Sequence, residues 1–180
     1  MKKYFIYIPV VLVVVALPIA LVIYNRERAQ EQVENIQKEL ESEEHIENAI
    51  YVEAGEGTLT NEGYYSYVGE SARGLEAYLG DKGASVMYVV SIPLEGEYTL
   101  GVKLSDDGVH PNNTRDATVV INNSKTLVYK HFSEDTKGWK WYNIGTTNLV
   151  AGENTFVFTK NESTGGAYVM DEFRLVPVKE

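Results

Sequence analysis

The 180-residue chain has no cysteine, which excludes a disulfide framework, a thiolate metal site and cysteine catalysis. It does not identify the compartment, because a chain this long can build a core without staples. Positive charge is scarce. Sixteen Lys and Arg face 26 Asp and Glu, for a net charge of −10. A nucleic-acid backbone needs a basic face, so no nucleic-acid partner is expected. Histidine is scarce too. His45, His110 and His131 are scattered, and no His-x-x-x-His or Glu-x-x-His pair falls after residue 48. No Gly-x-Ser-x-Gly occurs. GEGTLTNEG is glycine-rich but opens no helix, so it is no phosphate loop. Eighteen acids in the C-terminal part leave a paired-carboxylate glycosidase open, but the domain is small for one, and the expectation is no enzyme.

Thirteen tyrosines and two tryptophans are the compositional outlier, and they lie mostly in the C-terminal three quarters. Before them stands an uncharged run of 21 residues, Tyr4 to Tyr24. As a helix it is roughly 30 Å long, the thickness of a bilayer core. Tyr4, Tyr7 and Tyr24 stand at its ends, where amphipathic rings prefer the membrane boundary. Pro9 and Pro18 lie inside it, which a membrane helix tolerates. Residues 1–24 therefore read as a membrane anchor helix. A cleaved signal peptide competes, although the run is long for one and no clean A-x-A site follows. Lys2 and Lys3 face Arg26 and Arg28 across the run, and the acids beyond Arg28 favour an inside N-terminus. The rest of a single-pass protein would then lie outside the cytoplasm.

Residues 25–48 contain no Gly or Pro and carry three bases against eight acids. Ala29, Val33, Ile36 and Leu40 form a seam of about two heptads, and Glu43 breaks it. The expectation is a solvated helical stalk, with self-association through the seam as the sharper alternative.

From Ala49 the period changes to 2. EYTLGVKLS is the clearest case: Tyr98, Leu100, Val102 and Leu104 alternate with Thr99, Gly101 and Lys103. Further strands are expected at 50–54, 75–79, 85–92, 117–121, 126–132, 139–144, 155–159 and 167–176, separated by turn residues such as Gly80-Asp81-Lys82-Gly83 and Asn122-Asn123. Short strands at this spacing with no helix between them give an all-β antiparallel β-sandwich, a jelly roll, over residues 49–180. Val169, Asp171, Phe173 and Leu175 fall in one phase, which sets Asp171 among core residues, where an unpaired carboxylate is costly.

The order of several short motifs resembles the carbohydrate-binding modules of families 6 and 35, within the galactose-binding-like jelly rolls. VEAGEG, ESARGLEAYL, VVSIPLEGEYTLGVKL, RDATVVINN, GWKWYNIGTTNLVAGENTFVF and MDEFRL carry the likeness over about 125 residues. It implies a glycan partner bound in loops at one end of the sandwich. Trp139 and Tyr142 match the family's aromatics, and Tyr64, Tyr65 or Tyr67 could form an opposite wall. Tyr168 adjoins Val169, which stands where the family often has an Asn. The likeness also implies a structural calcium, with Glu53 and Asp171 as ligands. Gly55 replaces the second expected Glu, and Glu56 is the acid nearest to take its place. Two readings from other classes stay open: a jelly roll for protein contact, and a pilin-like filament subunit, although no pilin processing motif precedes the apolar run. Asn-x-Ser/Thr triplets begin at Asn112, Asn122 and Asn161.

Overall fold

The computed structural model describes residues 45–61, 64–71, 74–106, 112, 114–131, 138–161 and 166–178. The anchor, 1–24, and nearly all of the stalk, 25–48, lie outside these residues. Of the stalk, only 45–48 are described. They hold a turn with Asn48 at φ 66°, and His45 stacks on Tyr51 at 4.9 Å. No helix among the described residues is long and apolar enough to cross a membrane.

Eleven strands are described: β1 (Ile50–Glu53), β2 (Thr58–Leu59), β3 (Ser66–Ser71), β4 (Gly74–Leu79), β5 (Ser85–Ile92), β6 (Gly96–Asp106), β7 (Ala117–Ile121), β8 (Lys125–Tyr129), β9 (Gly138–Leu149), β10 (Gly152–Lys160) and β11 (Tyr168–Pro177). They form two antiparallel sheets. One runs β3-β4-β11-β6-β9, with β1 also paired to β11; the other runs β2-β5-β10-β7-β8. The alternation predicts most of them. β6, β9 and β10 extend beyond the expected bounds, β8 stops short of its own, and β2 and β3 have no counterpart among the expected strands.

The inward phases of the two sheets meet in one core. Leu100, Val102, Leu104, Phe173 and Leu175 from the first sheet face Val86, Val119, Ile121, Phe156 and Phe158 from the second. Tyr88 ties the layers together. Its ring lies edge-on to Phe158 at 5.7 Å and Phe173 at 5.0 Å, and its hydroxyl donates to the Ala54 carbonyl at 2.7 Å. The chain passes from β1 to β2 through a single 3-10 turn, Ala54–Glu56. It runs so close to the second sheet that a Cβ on Gly57 would stand 2.4 Å from Val86 and 2.7 Å from Tyr88, so only glycine fits.

β11 carries the main departure from the expected pattern. Tyr168 and Met170 face the core, and so do Phe173 and Leu175. The inward phase slips between Met170 and Glu172, where a β-bulge sets Asp171 and Glu172 against Lys103. Asp171 is therefore not in phase with the core. It is partly exposed and paired with Lys103 at 3.1 Å. The bulge sits where β11 changes partners along one edge, from β4 at Tyr168–Met170 to β1 at Glu172–Leu175.

Candidate functional site

The ends of β4, β6, β8 and β10 and the starts of β3, β5, β7, β9 and β11 all fall at one end of the sandwich. Every glycan-site residue expected from the sequence lies there. They do not form one site.

Tyr64 and Tyr65 precede β3 and are 43% and 67% exposed. The Tyr65 backbone N–H donates to the Asp81 carboxylate at 2.6 Å, and its carbonyl accepts from Gly80 at 2.8 Å. These bonds pin the loop to the turn after β4. The Tyr65 ring stands edge-on to Tyr78 at 5.6 Å, and Tyr78 stacks on Tyr67 at 5.1 Å with planes 8° apart. The Tyr67 hydroxyl bonds the buried Glu76 carboxylate. Tyr65, Tyr67 and Tyr78 thus make an aromatic ladder on the outward face of the β3–β4 hairpin. Tyr78 was not singled out in the sequence. The signal was its phase, opposite to the core residues Ala77 and Leu79.

Trp139 and Tyr142 begin β9 at the far edge of the same sheet. Four strand spacings separate β3 from β9, about 19 Å, so the two walls cannot grip one sugar ring. Trp139 and Tyr142 also point to opposite faces, being three residues apart on a strand. Tyr142 turns inward, edge-on to Tyr129 at 5.4 Å. Tyr168 lies between the walls but is 1% exposed, with its hydroxyl on the Met170 sulfur. Burial, then the neighbouring Tyr129 and Tyr88, holds that hydroxyl well above the usual phenol range. Tyr168 is a core residue and presents no ring to a ligand. The hollow beneath this end, lined by Arg115, His131, Tyr142, Tyr168 and Val169, has room for about one water. The hollow is too small to admit a sugar ring.

Trp141 is occupied as well. The buried Arg174 guanidinium lies 4.0 Å over its ring, and Tyr51 meets the ring edge at 6.1 Å. Burial lowers the pKa of Arg174, while Tyr51 and Glu172 work against the change. Beneath the loop end, Asp116 accepts from the His131 backbone at 2.7 Å and from Lys130 at 2.6 Å.

Two of the expected calcium ligands, Glu53 and Asp171, fall on the outward face around the bulge. Glu53 pairs with Glu172 across β1 and β11, and Glu172 pairs with Lys103 across β11 and β6. The Lys103 ammonium reaches Asp171 at 3.1 Å and Glu172 at 3.3 Å. Burial, then the charges of Glu172, Asp171 and Glu56, raises the Glu53 carboxyl above its ordinary value, and Lys103 partly offsets them. Among the described residues no three His, Asp or Glu side chains gather closely enough to hold a metal ion. A Cβ on Gly55 would stand 3.0 Å from Leu75 Cβ and 3.2 Å from the Glu76 nitrogen, so a glutamate there would crowd β4. As placed, this donor set does not fit a calcium ion, which takes six to eight oxygens.

No family model matches the sequence, and no curated protein matches it. Solved structures share its fold. A β-(1,4)-mannanase of Podospora anserina, joining a family 26 glycoside hydrolase to a family 35 carbohydrate-binding module, matches with TM-score 0.56 at 22% identity, over 73% of this chain and 28% of that one. The chain thus spans under a third of that enzyme. The family 35 module of Abf62 from Cellvibrio japonicus matches with TM-score 0.53 at 18% identity, over 73% of this chain and 95% of that one. The insecticidal crystal protein Cry2Aa matches with TM-score 0.58 at 13% identity, over 73% of this chain and 22% of that one. Likeness at these identities shows the fold: an all-β jelly roll of the kind found in family 35 modules.

Proposed function

We propose that residues 49–180 act as a non-catalytic carbohydrate-binding module, displayed outside the cytoplasm by a single-pass anchor at residues 1–24. The exposed Tyr64 and Tyr65 at the loop end, with Tyr65 heading the aromatic ladder, are the observation that carries this reading. A sugar ring offers an apolar C–H face to an aromatic and hydroxyls to nearby amides and carboxylates. Tyr64 and Tyr65 supply the aromatic surface, while Asn61 and Asp81 stand beside them, bonded to Gly83 at 2.6 Å and to Tyr65 at 2.6 Å. Trp139, on the opposite edge, serves a longer chain as a separate contact.

A glycan array probed with the protein tests the reading. Tyr65→Ala should weaken binding to any captured glycan about tenfold, the order of one aromatic contact. No captured glycan, or capture unaffected by both Tyr65→Ala and Trp139→Ala, would refute it. One observation favours a second reading, protein contact. Val89 and Val128 are 54% and 45% exposed on the outward face of the second sheet, which Val120 and Val157 share. Val89→Lys would abolish a protein contact there and leave glycan binding intact.

A further inference from the structure

Strand register sets Glu53 directly opposite Glu172 in the β1–β11 ladder. Like charges facing each other across a ladder are destabilising. The bulge brings a third carboxylate, Asp171, to the same face, and Glu56 in the following turn adds a fourth. Such a face needs a cation. Lys103 is at the right place on the next strand, with its ammonium between Asp171 and Glu172. Its contacts are charge-assisted hydrogen bonds made from within the sheet, with the lysine stem lying along the strand surface.

We propose that the Lys103 ammonium is the resident cation of this face, covalently supplied, and that the domain keeps its β1–β11–β6 junction without a divalent ion. Two features of the chain agree with that. Gly55 removes the carboxylate that a metal would use, and the space its side chain would enter is taken by Leu75 and the Glu76 backbone. The bulge turns Asp171 toward Lys103 and away from the core. An ammonium also suits the site geometrically. It takes three acceptors at hydrogen-bond distance, whereas calcium needs six or more oxygens closer in.

The rival is the calcium ion that the family resemblance implies at Glu53, Glu56 and Asp171. Thermal melts of the full chain in detergent distinguish the two. The wild type should melt at the same temperature in excess chelator and in millimolar calcium. Lys103→Gln removes the resident cation and leaves the carboxylates. That variant should melt several degrees below the wild type in chelator and in calcium alike, while Lys103→Arg, which keeps a cation, should melt near the wild type in both. A wild type that loses several degrees in chelator, or a Lys103→Gln variant that melts at the wild-type temperature, overturns the proposal. If Lys103→Gln fails to fold, equilibrium dialysis of the wild type against millimolar calcium decides. Binding well below one ion per chain supports the resident ammonium; one ion per chain overturns it.

Discussion

Asn154 offers the sharpest test of how the far end of the sandwich is held. Its side chain is fully buried and makes four hydrogen bonds. Its carbonyl accepts from Asn122 Nδ2 at 2.8 Å and from the Val150 N–H at 3.2 Å. Its amide donates to the Val150 carbonyl at 2.8 Å and the Gly152 carbonyl at 3.0 Å. Asn122, at φ 50° in the β7–β8 turn, in turn accepts the Thr155 N–H at 2.8 Å. One amide therefore closes the β9–β10 turn and fastens it to the β7–β8 hairpin. Alanine at 154 removes all four bonds. At about 1 kcal/mol each the gross loss is about 4 kcal/mol. Val150 and Gly152 are exposed, so water recovers part of their share, and the expected net loss is roughly 2–3 kcal/mol. For a β-domain of this size that lowers the melting temperature by about 6–15 °C. Asn154→Asp keeps the acceptor and loses both donated bonds, so at neutral pH it should fall within about 1 kcal/mol of the alanine variant. A double-mutant cycle with Asn122→Ala should show coupling of at least about 0.5 kcal/mol. Urea melts giving a loss under about 1 kcal/mol for Asn154→Ala, with no coupling to Asn122, would refute the account.

Alkaline titration should leave at least two of the 13 tyrosines un-ionised until the domain unfolds, because burial raises Tyr88 and Tyr168 above the usual phenol range. A raised folded-state pKa contributes stability below pH 10 and loses it above, so these two should steepen alkaline unfolding by about 2.7 kcal/mol per pH unit; phenolate absorbance tracking unfolding checks this, and full titration of a still-folded protein refutes it. The full chain should stay with membranes through carbonate extraction, while a fragment of residues 49–180 should be soluble and melt cooperatively, since both sheets are complete between Ile50 and Pro177. Recovery of a chain lacking its first 24 or so residues in the soluble fraction would instead establish signal-peptide cleavage.

Strands whose inward phase is wholly apolar were legible in the sequence. Tyr98, Leu100, Val102 and Leu104 are all buried, as their alternation requires. β3 escaped because its inward phase in SYVGES holds one apolar side chain, Val68, flanked by Ser66 and Glu70, while Tyr67 lies outward. An edge strand of that kind buries too little to leave a periodic signature. Gly80-Asp81-Lys82-Gly83 and Asn122-Asn123 were legible as turns because their conformations demand particular residues: Gly83 stands at φ 87°, and both asparagines at φ near 50°. The residues expected at a glycan site were legible as a set at one end of the fold but not as two walls. Strand order across a sheet decides which edge a residue occupies, and no local pattern reports strand order.

The bulge at Asp171 shows why phase arguments fail where a strand changes neighbours. β11 meets β4 over its first residues and β1 over the rest, so two partners with independent registers share one edge. The extra residue lets each half keep its own inward phase. Met170 stays in the core before it and Phe173 after it, while Asp171 moves to the outward side. Sequence offers no warning, because VMDEFRL reads as continuous alternation with Val169, Asp171, Phe173 and Leu175 in line. The same slip brings two successive acids, Asp171 and Glu172, within reach of Lys103, a residue some 69 positions away on β6. The chemistry at this face therefore follows from a change in strand pairing, and a bulge that shifts one carboxylate also determines which cation can neutralise it.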